Sequence, residues 1–143
     1  MGQVYADITL KNAGDVTLVQ YGYKQEHEIR VKTMSILVDT GAITLIINDD
    51  IRQELGLNLR ENQSARLADN TRITVQIADP VEISWKNRKM TCQPWVIPHA
   101  EMPLLGLIPL ENMDLMVDPV NRKLVGVHGE EQVGIIFEFL PPR

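Results

Sequence analysis

Apolar and polar residues alternate along Gln3–Leu10, with Val4, Ala6, Ile8 and Leu10 on one side and Tyr5, Asp7 and Thr9 on the other. A period of two is that of a strand with one face in the core, so a half-buried strand is predicted here. Lys11–Asp15 carries Asn and Gly and reads as a turn, and Val16–Tyr21 then reads as a second strand folded back as a hairpin. Tyr21–Glu28 is polar and reads as a loop. From Glu28 to Thr33 the chain leads into a different pattern. Met34–Val38 is a near-continuous apolar run, expected of a strand covered on both faces, and it passes straight into Asp39, Thr40, Gly41 and Ala42.

Ile43–Ile47 is again apolar and rich in β-branched residues. Asn48 suits the cap of a short helix over Asp49–Leu55, with acids in its first turn and Gly56 as its stop. Thr71–Ala78, Val81–Trp85 and Lys89–Ile97 read as strands, punctuated by Asp79-Pro80 and Lys86-Asn87. Leu104-Leu105-Gly106 precedes Pro109–Met113, a helical turn with proline near its start. Leu115–Val117 and Lys123–Val125 read as strands around Asp118-Pro119, and Gly134–Leu140 as a last strand before Pro141-Pro142. Many short strands with frequent turns and few helical pieces predict a mainly β domain, barrel-like or sandwich-like. No repeat or compositional break marks a second domain, so residues 1–143 are read as one.

At 143 residues, 44% of them hydrophobic, the chain can bury a core without staples. Fourteen Lys and Arg against nineteen Asp and Glu give a net charge of −5, which leaves no basic stripe to neutralise phosphates, so nucleic acid is not an expected partner. Cys92 is the single cysteine and excludes an internal disulfide; it reads as a small buried residue in a protein of a reducing compartment. Met1–Asp7 lacks a basic, then apolar, leader. The longest apolar stretches, Leu104–Leu110 and Val133–Leu140, are too short for a bilayer. A cytoplasmic protein with no membrane partner is expected.

Asp39 is the residue that carries candidate chemistry. It ends a buried strand, where an ionised side chain is expensive unless compensated, and Gly41 permits a sharp turn or a close approach. Asp-Thr-Gly alone also suits an ordinary strand-to-turn junction. The other candidates are weaker. Glu26-His27-Glu28, His99 and His128 match no metal-site spacing, so neither metal nor cofactor is expected. Trp85 and Trp95 lie in strand-like runs and read as core or interface anchors, and Asp118 as a hydrogen-bonded turn carboxylate.

The order Val38-Asp39-Thr40-Gly41-Ala42, a Leu-Gly after a short helix, a polar hairpin, then Leu104-Leu105-Gly106 resembles the retropepsin-like aspartic proteases. It is closest to the small single-lobed type found in bacteria and archaea. Pro109-Leu110-Glu111, Val117-Asp118-Pro119 and Lys123-Leu124-Val125 extend the resemblance, which covers roughly Ile29–Val125. It implies a closed β-barrel with one or two short helices, and an endopeptidase whose water is activated by an Asp dyad. Because the chain holds one Asp-Thr-Gly, the resemblance implies a homodimer with Asp39 from each copy. Thr40 would bond across the axis, and Gly41 would donate its N–H toward Asp39. Leu104, Leu105 and Gly106 would pack beneath the loop, with Ala42 flanking the substrate. A lid is implied at the hairpin Ala65–Arg72, with Ala68, Asp69 and Asn70 at a tip that lacks the glycines of viral relatives. End strands of such dimers interleave, which makes Gln3–Leu10 and Ile135–Leu140 interface candidates. The rival reading is a proteolytically inactive module of the same fold that binds peptides or dimerises.

Overall fold

A computed structural model describes residues 2–130. Strand β1 (Val4–Asn12) buries Val4, Ala6, Ile8 and Leu10, as the alternation predicts, and runs antiparallel to β2 (Val31–Val38) from the pair Val4 and Val38 to the pair Lys11 and Val31. On its other side Thr9–Asn12 pairs with β6 (Val81–Trp85). β3 (Leu45–Ile47) leads into α2 (Asp49–Glu54), where the Asn48 side chain accepts the Ile51 N–H at 3.0 Å. Gly56 follows with φ +64°, a conformation that suits glycine, and the Arg30 guanidinium lies where a Cβ would project.

β4 (Leu59–Arg66) and β5 (Arg72–Ala78) form a long hairpin; β7 (Arg88–Cys92), β8 (Trp95–Val96) and β9 (Leu104–Leu105) follow. After β9 come α3 (Leu107–Asn112) and a separate hairpin of β10 (Leu115–Asp118) with β11 (Lys123–Gly126). The first nine strands make one sheet in the order β4-β5-β8-β3-β9-β2-β1-β6-β7. Its inner face carries the core: the four β1 residues with Ile36, Val38, Leu45, Ile47, Ile83 and Leu105, all at most 9% exposed.

Several expectations are corrected. The sheet is open, not a closed barrel: among the described residues it ends at β4 and β7. β4 is exposed at seven of its eight positions, and its Arg, Glu, Asn, Gln and Ser side chains suit a solvent edge, not a closure. Three short helices are present where one or two were expected, because Ala13–Gln20 is α1 and not the returning strand of a hairpin. The Asn12 side chain decides this: its Oδ1 accepts the Asp15 N–H at 3.0 Å as a helix cap, and its Nδ2 donates to the Leu55 carbonyl at 2.8 Å. The expected run Lys89–Ile97 is two strands broken at Gln93-Pro94, so that β7 pairs with β6 while β8 pairs with β5 and β3. The expected strand Gly134–Leu140, and with it the interface candidate Ile135–Leu140, lies outside the described residues. Among those described, no helix is long and apolar enough to cross a membrane.

Candidate active site

The strands β2 and β3 flank the Asp39 loop but do not touch each other. β9 lies between them, parallel to β2 (Leu37 with Leu104, Val38 with Leu105) and antiparallel to β3 (Leu45 with Leu105, Ile46 with Leu104). The loop 39–44 must therefore arch over the end of β9, and the chain leaving β9 must pass beneath it. That crossing is stitched by backbone hydrogen bonds: Asp39 N–H to the Leu105 carbonyl at 3.0 Å, Leu107 N–H to Ala42 at 2.8 Å and Ile108 N–H to Ile43 at 2.9 Å. Gly106 is the crossing point. A Cβ there would lie 2.6 Å from the Ala42 carbonyl oxygen and 2.7 Å from the Thr44 nitrogen, so a larger residue would push the loop away.

Within the loop, Asp39 Oδ1 accepts the Gly41 N–H at 2.8 Å, and the Ala42 N–H closes the turn on the Asp39 carbonyl at 3.1 Å. Asp39 is half-buried, Thr40 and Gly41 are exposed, and Thr44 is buried at 8%. The carboxylate is thus oriented by one backbone donor and keeps an open side. The fold brings Asp39, Thr40, Gly41 and Ala42 together with Leu104, Leu105 and Gly106, with Leu105 buried as the loop's apolar backing. A concavity of about 480 Å³ opens beside Asp39 and Thr40, walled by Val4, Leu37, Val38 and Val117, with Arg122 at its rim.

Ala68, Asp69 and Asn70 sit apart, at the exposed tip of the β4–β5 hairpin. Asp69 Oδ1 accepts both the Thr71 N–H at 3.0 Å and its hydroxyl at 2.6 Å, and these bonds, the hydroxyl's foremost, lower the Asp69 pKa. Asn70 takes φ +71°. The tip is shaped by its own side chains, and among the described residues no hydrogen bond joins it to the Asp39 loop.

Thr44, Val117 and Arg122 belong to this neighbourhood and were not foreseen. Thr44 has a local signal, being the one hydroxyl buried in the apolar run to Ile47; Arg122 has none, since it arrives from the β10–β11 turn. That turn is held as expected by Asp118, which accepts the Val120 and Asn121 N–H groups and the Asn121 side chain at 3.0, 3.2 and 2.8 Å. Cys92 packs against the core, and burial pushes its thiol up to about 12. Trp85 is buried and Trp95 half-buried. No group of three or more His, Cys, Asp or Glu suited to a metal occurs among the described residues.

In sequence, no protein-family profile and no curated protein matches the chain. In structure it is similar to a retropepsin-like aspartic protease from Rickettsia conorii, with a TM-score of 0.51 over 82% of this chain and 77% of that one. At 16% identity the likeness is one of fold. The fold is therefore retropepsin-like, with the Asp39 loop at the crossing of β2, β9 and β3.

Proposed function

We propose that the protein is a homodimeric aspartic endopeptidase in which two copies of Asp39 activate one water against a peptide carbonyl. The observation that carries this reading is the Asp39 corner: a carboxylate oriented by Gly41, open on one side, on a loop locked to Leu105, Leu107 and Ile108. One carboxylate is not enough for this chemistry. Two facing carboxylates share a proton, because like charges that close do not both ionise, and they titrate as a pair. The ionised member takes a proton from water while the protonated one polarises the scissile carbonyl. With one Asp-Thr-Gly per chain, the second carboxylate comes from a two-fold-related copy.

The surface around the corner favours such pairing. Ile43, Leu107 and Ile108 are 50%, 39% and 42% exposed at the foot of the loop, an apolar grouping that a second copy would cover. In the dimer Thr40 bonds across the axis and Ala42 flanks the substrate. Ala68, Asp69 and Asn70 close over the peptide from the hairpin tip and exclude water.

The reading is tested by incubating the protein with unfolded peptide libraries from acidic to neutral pH. Cleavage is expected from the wild type and is expected to vanish in Asp39→Ala; turnover that persists in that variant removes the mechanism. Sedimentation should show a dimer, and Ile108→Glu should shift it to monomer with loss of turnover. A wild-type monomer at micromolar concentration without turnover would instead identify a binding module built on the same fold.

A further inference from the structure

Besides Asp39, the concavity at the candidate active site is lined by one charged residue, Arg122. It reaches the rim from the turn joining β10 and β11, above the apolar walls of Val4, Leu37, Val38 and Val117. Arg122 is exposed, so its donors open onto the space and not into packed protein. Among the described residues it enters no hydrogen bond and no ion pair. Asp118, the acid of the same turn, has both oxygens engaged by the Val120 and Asn121 N–H groups and the Asn121 side chain.

The guanidinium is also placed. It lies against the backbone of Gly2, where a Cβ on that residue would project. Only a residue without a side chain leaves room for the planar group there. The turn itself does not call for arginine. Residue 122 takes φ +52°, a conformation in which glycine or asparagine is the easier choice. A long cation kept at such a position points to a use beyond the turn.

We infer that Arg122 makes the Asp39 site select peptides with a glutamate side chain beside the bond that is cut. The inference rests on the reading of Asp39 as the catalytic acid. The two methylenes of the glutamate lie along the apolar walls. Its carboxylate meets the guanidinium at the rim in a charge-assisted hydrogen bond. The same cation offsets the repulsion between that glutamate and Asp39. Each copy of the dimer brings its own concavity, so the preference applies on both sides of the scissile bond.

The test uses blocked heptapeptides of alanine and leucine with a central glutamate, glutamine or lysine, so that no terminal carboxylate competes. Wild-type kcat/KM is expected to be about fivefold higher for the glutamate peptide than for the glutamine one, with the ratio falling as salt is raised. Arg122→Asn, which suits the backbone, should bring the ratio to about one, and Arg122→Glu should favour lysine over glutamate. Gly2→Val keeps the cation but displaces it, and should lower the ratio too. The same peptides, carrying a fluorophore, are titrated by anisotropy into Asp39→Ala. There the glutamate peptide should bind about fivefold tighter than the glutamine one, and adding Arg122→Asn should remove the difference. Equal cleavage of the two peptides, or a glutamate preference that survives Arg122→Asn, overturns the role of Arg122 and leaves the Asp39 reading intact. No turnover of these peptides or of the libraries, with the binding difference present, removes the catalytic reading alone. No turnover and equal binding overturn both.

Discussion

Asp15 and Asp39 follow the ends of two paired strands, β1 and β2, and the fold treats them in opposite ways. The Asp15 side chain is 2% exposed, and it accepts from Lys24 Nζ at 2.8 Å and from the Arg30 Nε, Nη2 and backbone N–H at 2.9 Å each. The Arg30 bonds outweigh the effect of burial and hold this carboxyl well below the usual carboxylate range. Asp39 is half-buried and, among the described residues, its side chain accepts one hydrogen bond, from the glycine two positions on. An acid neutralised by its own chain is a structural tie. An acid given only enough contact to fix its direction is left free to meet something else.

The sharpest way to break this contrast is to remove each charge and read different outputs. Asp39→Asn should lower kcat for peptide hydrolysis by about 10³-fold or more while leaving the denaturation midpoint unchanged, checked by peptide turnover and urea unfolding side by side. A large loss of stability in that variant would make Asp39 a tie like Asp15. Gly106→Ala tests whether the crossing under the loop fixes Asp39. Overpacking against backbone should destabilise by about 3 kcal/mol, with activity falling beyond the unfolded fraction, measured by urea titration and turnover.

Asp15→Asn should show the reverse of Asp39→Asn, with about 2 kcal/mol lost at neutral pH and little change in kcat for the folded fraction. The pH dependence has a definite sign. A carboxyl whose pKa is lowered by folding contributes stability that is complete above its unfolded value, about 3.9, and is lost as pH falls toward the folded value. Wild-type stability should therefore drop as the pH is taken below about 4, and Asp15→Asn should flatten that drop, seen in denaturation midpoints across pH. The smallest effect is expected at the hairpin tip. Asp69→Ala removes two bonds to Thr71 on a fully exposed turn, so the midpoint should stay put while Thr71 amide exchange speeds up. If the tip acts as a lid, KM should rise as well.

The two corners also differ in how far the sequence announced them. Asp39–Ala42 and Leu104–Gly106 are each spelled out within a few neighbouring residues, and the apolar run before Asp39 marks the strand that delivers it. The Asp15 corner was misread as a turn and a returning strand, because its partner Arg30 lies beyond a polar loop and Asn12 acts as cap and tether at once. Val16–Val19 has the alternation of a strand, and propensity lost to a tertiary ion pair. The open edge at β4 was equally hard to foresee, since closure depends on which strands find partners across the whole sheet. Arg122 entered the Asp39 concavity from a distant turn and left no local trace.

The position of β9 between β2 and β3 also sets an order of events during synthesis. The segment that underpins the Asp39 loop leaves the ribosome long after the loop itself, so a growing chain can pair β1 with β2 while the acid's support is still missing. Whatever chemistry that acid performs is withheld until residues 104–108 have threaded into place, and a chain cut short before them would carry the motif without its footing.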